Sequence, residues 1–280
     1  MSKIVYKDPH ITVFQSALFQ TNSVVVQTED AIFLVDPCWL PDEIASIRKY
    51  VLDIQGDKPL FLLFTHSDYD HIIGYRAFKP EKVFLSEAMA NRTDKETVLR
   101  EINDFDQQYY IQRSYPIEYP EGDFIVFKNG AQFRHGNTRL TFYLTPGHTP
   151  DCMMIIFWQL GLCVAGDYLS DVEFPFIDQS SVAYEETLNL LLQIHDRNWF
   201  TRLIPGHGNP ALSLSEWLGR RTESLAYIYA LRESIATGKE LDEESLWERY
   251  PFPKYLKEAH AKNRALMQKE FDDGLWSLQE

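Results

Sequence analysis

The segment 64–74, FTHSDYDHIIG, constrains the fold of this chain more than any other stretch of its sequence. It places His66, Asp68, Asp70 and His71 within six consecutive positions. The preceding run, PLFLLFTH, is almost continuously apolar, which is typical of a strand buried on both faces. Ligands of α/β proteins bind at the carboxyl ends of such strands, so the cluster indicates a binding site at the edge of a sheet.

Three more side chains with metal-binding chemistry each follow a strand-like run. His148 stands in TPGHTP, Asp167 in VAGD and His207 in IPGHG. The glycine or proline beside each of them fits a sharp turn that lifts a side chain over the sheet edge. Imidazole and carboxylate groups suit zinc, iron or manganese, so these segments together predict a metal site.

The order of strand and helix signals predicts an α/β fold. Runs rich in β-branched and aromatic residues occur at ITVFQ, NSVVVQT and AIFLVD, and again at DFIVF, TRLTFYL, CMMIIFW and LCVAG. Apolar residues at helical spacing indicate helices over 41–54 and 183–194. We therefore expect two sheets packed face to face with helices outside.

The chain is expected to form one main domain over residues 1–212, with a helical extension over 213–280 packed on it. The polar segment 87–113 is predicted to be a helical insertion that covers the site. The extension carries an amphipathic stripe of apolar side chains at helical spacing, namely Leu214, Trp217, Leu218, Leu225, Ile228 and Leu231.

Composition argues against nucleic acid and membrane partners. Among 280 residues, 27 Lys and Arg stand against 41 Asp and Glu, a formal charge of −14 that repels phosphate backbones and anionic lipid. No apolar run is long enough to span a bilayer, and the start of the chain lacks a signal-peptide core. Cys38, Cys152 and Cys163 form no CxxC pair, which favours a reduced, cytoplasmic protein. We expect a small-molecule substrate, and a homodimer stays an open alternative.

These motifs, in this order and with this spacing, resemble those of the metallo-β-lactamase superfamily of metallohydrolases, over residues 11–210. The resemblance implies a four-layer αββα sandwich of two mixed β-sheets with outer helices and a two-metal site between the sheets. It implies that His66, Asp68 and His148 bind one metal, that Asp70, His71 and His207 bind the other, and that Asp167 bridges both.

The implied chemistry is hydrolysis of an ester-like bond, in a lactone, thioester or phosphoester, by a hydroxide that bridges the metals. Asp70 and Asp167 are then catalytic as well as ligating, because Asp70 can orient the attacking water. The loop after Asp167 is expected to run along the groove. Its candidate substrate contacts are Tyr168, Asp171, Glu173 and Phe176.

Asp68 departs from the pattern of the family, because most hydrolytic members have histidine at this position. A third carboxylate lowers the charge of a site with two divalent cations, and its oxygen ligand shifts the preference from zinc towards iron or manganese. Two alternatives stay open on this ground. One is a diiron redox protein that resembles flavodiiron proteins, and the other is a non-catalytic member with a weakened first metal site.

Overall fold

The computed structural model describes residues 3–278, which form two β-sheets between layers of helices. The seven strands of the first sheet follow one another in chain order: β1 (Lys3–Lys7), β2 (Ile11–Gln15), β3 (Asn22–Gln27), β4 (Ile32–Val35), β5 (Leu60–Leu63), β6 (Lys82–Ser86) and β7 (Phe124–Val126). The second sheet contains β8 (Ala131–His135), β9 (Thr138–Leu144), β10 (Met153–Phe157), β11 (Leu162–Val164) and β12 (Arg202–Ile204). Its spatial order is β12-β11-β10-β9-β8.

Eight helices complete the described part of the chain. They are α1 (Pro41–Gln55), α2 (Tyr69–Ile72), α3 (Glu87–Ala90), α4 (Lys95–Gln108), α5 (Ser181–Asn198), α6 (Leu214–Thr237), α7 (Glu243–Arg249) and α8 (Pro253–Asp272). Residues 3–278 contain no helix long and apolar enough to cross a membrane.

Side chains of alternate strand positions build the layers. In β5, Phe61 and Leu63 belong to the core between the two sheets, whereas Leu60 and Leu62 pack under α1, α3 and α4. A third core lies on the outer face of the second sheet, where α5, α6 and α8 cover it. The predicted four-layer αββα sandwich of mixed sheets is therefore confirmed.

Parallel pairing brings the functional loops to one edge. The strands β4, β5, β6 and β7 are mutually parallel, and β11 pairs in parallel with β12. Because β5 is buried on both faces, its sequence is apolar without alternation. The loops that follow β5, β11 and β12 carry the motif residues to the site.

The structure differs from the sequence expectations in three elements. The strand β1 was not expected, and it lies at the edge of its sheet with part of each side chain in solvent. The strand β8 was not expected either, because Gln132, Arg134 and His135 leave it with few apolar positions. The segment 87–113 is not one helix, since the polar residues 91–94 separate α3 from α4, which ends at Gln108.

The residues after 212 pack against the second sheet. Ser213 caps the helix α6, since its Oγ accepts a hydrogen bond from the backbone N–H of Glu216 at 3.3 Å. Trp217 and Ile228 of α6 share one core with Leu188 of α5. The division into a main domain and an extension stays a prediction.

Candidate metal centre

The seven predicted ligands come from loops at one edge of the sandwich. The connection from β5 to α2 and the first turn of α2 carry four of them, and the ends of β9, β11 and β12 carry one each. In chain order they are His66, Asp68, Asp70, His71, His148, Asp167 and His207.

All four imidazoles are fixed through Nδ1, which leaves Nε2 for the cavity. The contacts of Nδ1 are Oγ1 of Thr65 at 3.0 Å for His66, Oδ2 of Asp36 at 3.1 Å for His71, the carbonyl of Phe176 at 2.8 Å for His148 and the carbonyl of Phe19 at 3.0 Å for His207. Metal-binding histidines characteristically donate their other ring nitrogen in this way, which fixes the tautomer and the ring.

Asp36, which directly follows β4, supports the histidine loop. Its Oδ1 accepts from the backbone N–H of Thr65 at 2.8 Å, and its Oδ2 contacts both Oγ1 of Thr65 and Nδ1 of His71. Asp36 therefore orients His71 from behind.

The first group of donors consists of His66, Asp68, His148 and Asp167, whose ligand atoms lie within 4.8 Å of one another. Oδ2 of Asp68 lies 3.2 Å from Nε2 of His148 and 3.6 Å from Nε2 of His66. The side chain of Asp68 thus faces the same point as the two histidines, despite replacing the usual imidazole.

The second group consists of Asp70, His71 and His207, again within 4.8 Å. Oδ2 of Asp70 lies 3.5 Å from Nε2 of both histidines. Asp167 stands between the two groups, because its Oδ1 is 3.2 Å from His71 and its Oδ2 is 3.6 Å from His66. That position suits a bridging carboxylate.

The histidines and carboxylates of the cluster shift one another's pKa values, because each stabilises the charged form of the other. Burial would lower the pKa of His71, but the carboxylates of Asp167 and Asp70 raise it to about 10. Burial also opposes the charged form of His148, whose pKa is nevertheless raised to about 9 by Asp68 and Asp167. Burial would raise the pKa of Asp68, yet His148 and His66 hold it well below its usual value. The cluster stabilises positive charge, either as protons or as cations.

Two buried atoms of the cluster lack a hydrogen bond within residues 3–278. They are Nε2 of His66 and Oδ1 of Asp167, in residues that are 0% and 9% exposed. Buried polar atoms without partners are rare in folded proteins and call for an ion or a water. Imidazole nitrogens and carboxylate oxygens at this spacing fit divalent metal ions, so the residues present suit the predicted group.

Gly206 allows the loops to approach this closely. A Cβ atom at this position would lie 2.0 Å from Oδ1 of Asp167 and 2.9 Å from Cε1 of His71. Any larger residue would displace the central carboxylate, which explains the glycine before His207 in IPGHG.

The candidate substrate contacts divide into two pairs. Glu173 and Phe176 line the cavity at the donors. Tyr168 is fully buried, and its hydroxyl donates to the carbonyl of Thr145 at 2.8 Å. Asp171 is exposed and binds Asn209. The structure does not bring Tyr168 or Asp171 to the cavity.

Sequence reasoning missed the aromatic walls of this cavity and the groove beside it. The walls include Phe19, Trp39, Tyr69 and Tyr255. A groove of about 600 Å³ continues from Asp68, Tyr69 and Tyr255 to the cationic side chains Arg92 and Lys262. Arg92 belongs to the predicted insertion and Lys262 to the extension, and no spacing pattern in the sequence links them.

Comparisons with known proteins support the fold. The sequence profile of the metallo-beta-lactamase superfamily matches residues 17–222. A comparison with curated proteins gives no match. Since the matched region covers most of its length, the chain belongs to the metallo-beta-lactamase superfamily, whose fold implies binding of divalent metal ions.

Solved structures share this fold at low identity. A stereoselective inverting sec-alkylsulfatase from Pseudomonas sp. is 14% identical with a TM-score of 0.70, over 96% of this chain and 50% of that one. A metallo-beta-lactamase family protein from Thermus thermophilus is 17% identical with a TM-score of 0.64, over 95% of both chains. The metallo-beta-lactamase from Pontibacter korlensis is 15% identical with a TM-score of 0.58, over 81% of this chain and 99% of that one. The chain spans about half the length of the alkylsulfatases it matches.

Proposed function

We propose that the protein is a hydrolase that uses two divalent metal ions to cleave an ester-like bond of a small molecule. The convergence of four Nε2 atoms and three carboxylates on one cavity carries this proposal. Membership of a superfamily of metallohydrolases agrees with it. The lactone, thioester and phosphoester classes all fit, and the alkylsulfatase neighbours add sulfate esters to the substrates worth testing.

The assigned ligands are His66, Asp68 and His148 for one ion, Asp70, His71 and His207 for the other, and Asp167 for both. When bound, such ions act as Lewis acids and lower the pKa of water into the neutral range. Iron and manganese suit the oxygen ligand at position 68 better than zinc does.

Two carboxylates of the chain act on the reaction in this scheme. We assign to Oδ2 of Asp70 the orientation of the attacking water, because this atom lies 3.5 Å from both histidines of its group. Thr21 supports this role by donating from Oγ1 to the same oxygen at 3.4 Å. Asp167 lies at the centre of the cluster, where its carboxylate contacts histidines of both donor groups.

The groove beside the cluster is the proposed substrate site. Its volume of about 600 Å³ lies within the range of small-molecule pockets. Tyr69 and Tyr255 provide apolar surface near the donors, whereas the farther walls are polar and hold acidic side chains besides Lys262 and Arg92. Arg92 pairs with Asp94 at 2.8 Å. A small substrate with an apolar part next to the cleaved bond matches these walls.

Chelation tests the metal-dependent mechanism. Turnover of lactone, thioester, phosphoester and sulfate ester substrates is measured before chelation, after it, and after return of Zn²⁺, Mn²⁺ or Fe²⁺. We expect activity to fall to background and to return with metal, and to be absent from His148→Ala. His10→Ala removes an exposed histidine outside the cavity and serves as the matched control. Activity that survives complete metal removal contradicts the mechanism.

The diiron redox protein remains the second candidate, because Asp68 lies with His66 and His148 in the first donor group. Iron-rich protein with a visible charge-transfer band and no hydrolysis of the panel would support it. The position of Asp68 also argues against the third alternative, a non-catalytic protein with a weakened first metal site. Metal analysis that finds one ion or none per chain would support that alternative.

We further propose a cytoplasmic location. Its support is that Cys38, Cys152 and Cys163 are all buried free thiols, as expected in a reducing compartment. A homodimer stays an open prediction, and sedimentation analysis of the purified protein tests it.

A further inference from the structure

We propose that Glu173 is an eighth ligand of the metal centre, which joins Asp167 and His207 and strengthens binding of hard divalent cations such as Mn²⁺. One ligand atom from each of these three residues lies within 4.8 Å of the other two. The inference rests on the proposed function, since it concerns the same pair of metal ions.

The neighbours of Glu173 direct its side chain to the cavity. Val172 and Phe174 are 5% and 2% exposed, and the Phe174 ring stacks on Tyr227 with centroids 4.6 Å apart. With both neighbours anchored in the protein, Glu173 lines the same cavity as Asp70 and His148. The direction of the Glu173 side chain is therefore set by the packing of its two buried neighbours.

The helix α8 holds the loop of Glu173 in place. Nδ2 of Asn263 donates to the carbonyl of Pro175 at 2.6 Å, and the N–H of Ile177 donates to its Oδ1 at 3.0 Å. Because the backbone is already fixed, little conformational entropy remains to be lost when Glu173 binds a metal ion.

Within residues 3–278, the carboxylate of Glu173 has no hydrogen-bond or ion-pair partner. Its carboxylate makes no protein hydrogen bond and no ion pair shorter than 4.0 Å, whereas the other carboxylates of the site contact histidines. Burial and the carboxylates of Asp167 and Asp70 together raise the pKa of Glu173 to about 7, against the lowering effect of His207 and His148. A half-buried carboxylate beside other carboxylates is costly to ionise unless a cation is shared between them.

Charge balance and ligand type agree with this assignment. The four carboxylates of Asp68, Asp70, Asp167 and Glu173 neutralise two divalent cations. A fourth oxygen ligand adds to the shift towards manganese or iron that Asp68 introduces. Glu173 and Asp68 therefore act in the same direction on metal choice.

Titration of the metal-free full-length protein with Mn²⁺ tests the assignment. Glu173→Gln removes the charge and keeps the shape, and Glu173→Ala removes every donor. We expect both variants to raise the Kd for Mn²⁺ by about 10–100-fold, the loss typical when the surroundings of a metal site are altered. The electron paramagnetic resonance spectrum of bound Mn²⁺ should also change. Asp178→Asn is the matched control, because Asp178 lines the same cavity outside every donor group.

The outcomes separate the two proposals. Equal melting temperatures of the metal-free proteins, combined with weaker Mn²⁺ binding by both Glu173 variants, support ligation by Glu173. Wild-type Mn²⁺ affinity in Glu173→Ala overturns it, even when hydrolysis falls, and leaves the metallohydrolase proposal intact. A wild-type protein that binds no metal overturns both. A loss of affinity in Asp178→Asn as large as in Glu173→Gln also overturns it, because any carboxylate in the cavity would then have the same effect.

Discussion

Asp68 is the residue of the proposed metal site whose type differs from the family pattern. Its Oδ2 lies 3.2 Å from His148, a residue 80 positions later in the chain, and its side chain is 30% exposed against 0% for His66. Asp68 is thus the most accessible member of the first group, at the junction with the groove. A change at this position should alter metal choice without disturbing the buried ligands.

Asp68→His should increase the zinc content of the protein relative to manganese and iron. An imidazole replaces a carboxylate oxygen, which raises the charge of the site and favours the softer metal. We expect the ratio of zinc to manganese to rise at least about tenfold, by comparison with the effects of neighbours on metal sites. Elemental analysis after dialysis against equal concentrations of both metals measures this ratio. An unchanged ratio would argue that Asp68 is not a ligand.

Gly206→Ala should weaken metal binding, because the new Cβ would lie 2.0 Å from Oδ1 of Asp167. Displacement of this carboxylate should raise the Kd for metal by about 10–100-fold. Gly219→Ala is the matched control, since a Cβ there meets nothing within 4 Å. Gly219 lies within α6, where alanine should stabilise the fold by about 0.5–1 kcal/mol. Calorimetric metal titration and urea unfolding of both variants measure the two effects, and intact metal binding in Gly206→Ala would contradict the first.

At the level of elements, the strands fix the positions of the ligands and the helices fix the loops between them. The helix α8 contributes no assigned ligand, but its Asn263 binds the backbone of the loop after β11 and the hydroxyl of Tyr227. This loop runs from Asp167 through Glu173 to the carbonyl of Phe176, which orients His148. An element remote in sequence therefore supports the first donor group through His148.

Asn263→Ala should destabilise the protein by about 2–3 kcal/mol, because it leaves buried polar groups of the loop without partners. Metal affinity should fall as well, since His148 loses its fixed support. Urea unfolding and metal titration measure the two losses. Lys262→Ala, at the exposed position next to Asn263, should change stability by less than about 0.5 kcal/mol. Equal effects of the two variants would contradict the role given to Asn263.

In the molecule as a whole, the extension and the main domain share one core. Trp217, Ile228, Leu231, Leu256 and Met267 pack in the same cluster as the outer face of the second sheet. Each such side chain stabilises the fold by about 1.5–3 kcal/mol. Their combined contribution is comparable to the total stability of a typical domain, about 5–15 kcal/mol.

A fragment of residues 1–212 should therefore not fold on its own, although it contains every assigned ligand. The full-length chain should unfold in one transition, with the same midpoint by circular dichroism and by tryptophan fluorescence. Urea titrations of both proteins provide the measurement. A fragment with its own cooperative transition, or two separate transitions in the full chain, would show that the residues after 212 form an independent unit.

The sequence alone was enough to predict the sandwich and to point to the residues of the candidate site. Continuous apolar runs such as LFLL mark strands that are buried on both faces, and the metal-binding residue types follow them at positions where the chain must turn. Both signals are local in sequence, because a buried strand and the turn that ends it are each encoded by residues that follow one another in the chain. The strand β8 escaped prediction because Ala131 and Phe133 are its only apolar residues, too few to mark an alternating strand.

Tertiary structure alone decided which residues meet across the site. It brings Arg92 and Lys262 to one groove, directs Glu173 into the cavity and leaves Tyr168 in the core. These outcomes depend on how distant elements pack against one another, and no spacing along the chain encodes them. The sequence by itself determined the fold and the chemical types of the proposed ligands, whereas packing determined their partners, their pKa values and the walls around them, since these depend on distances in space.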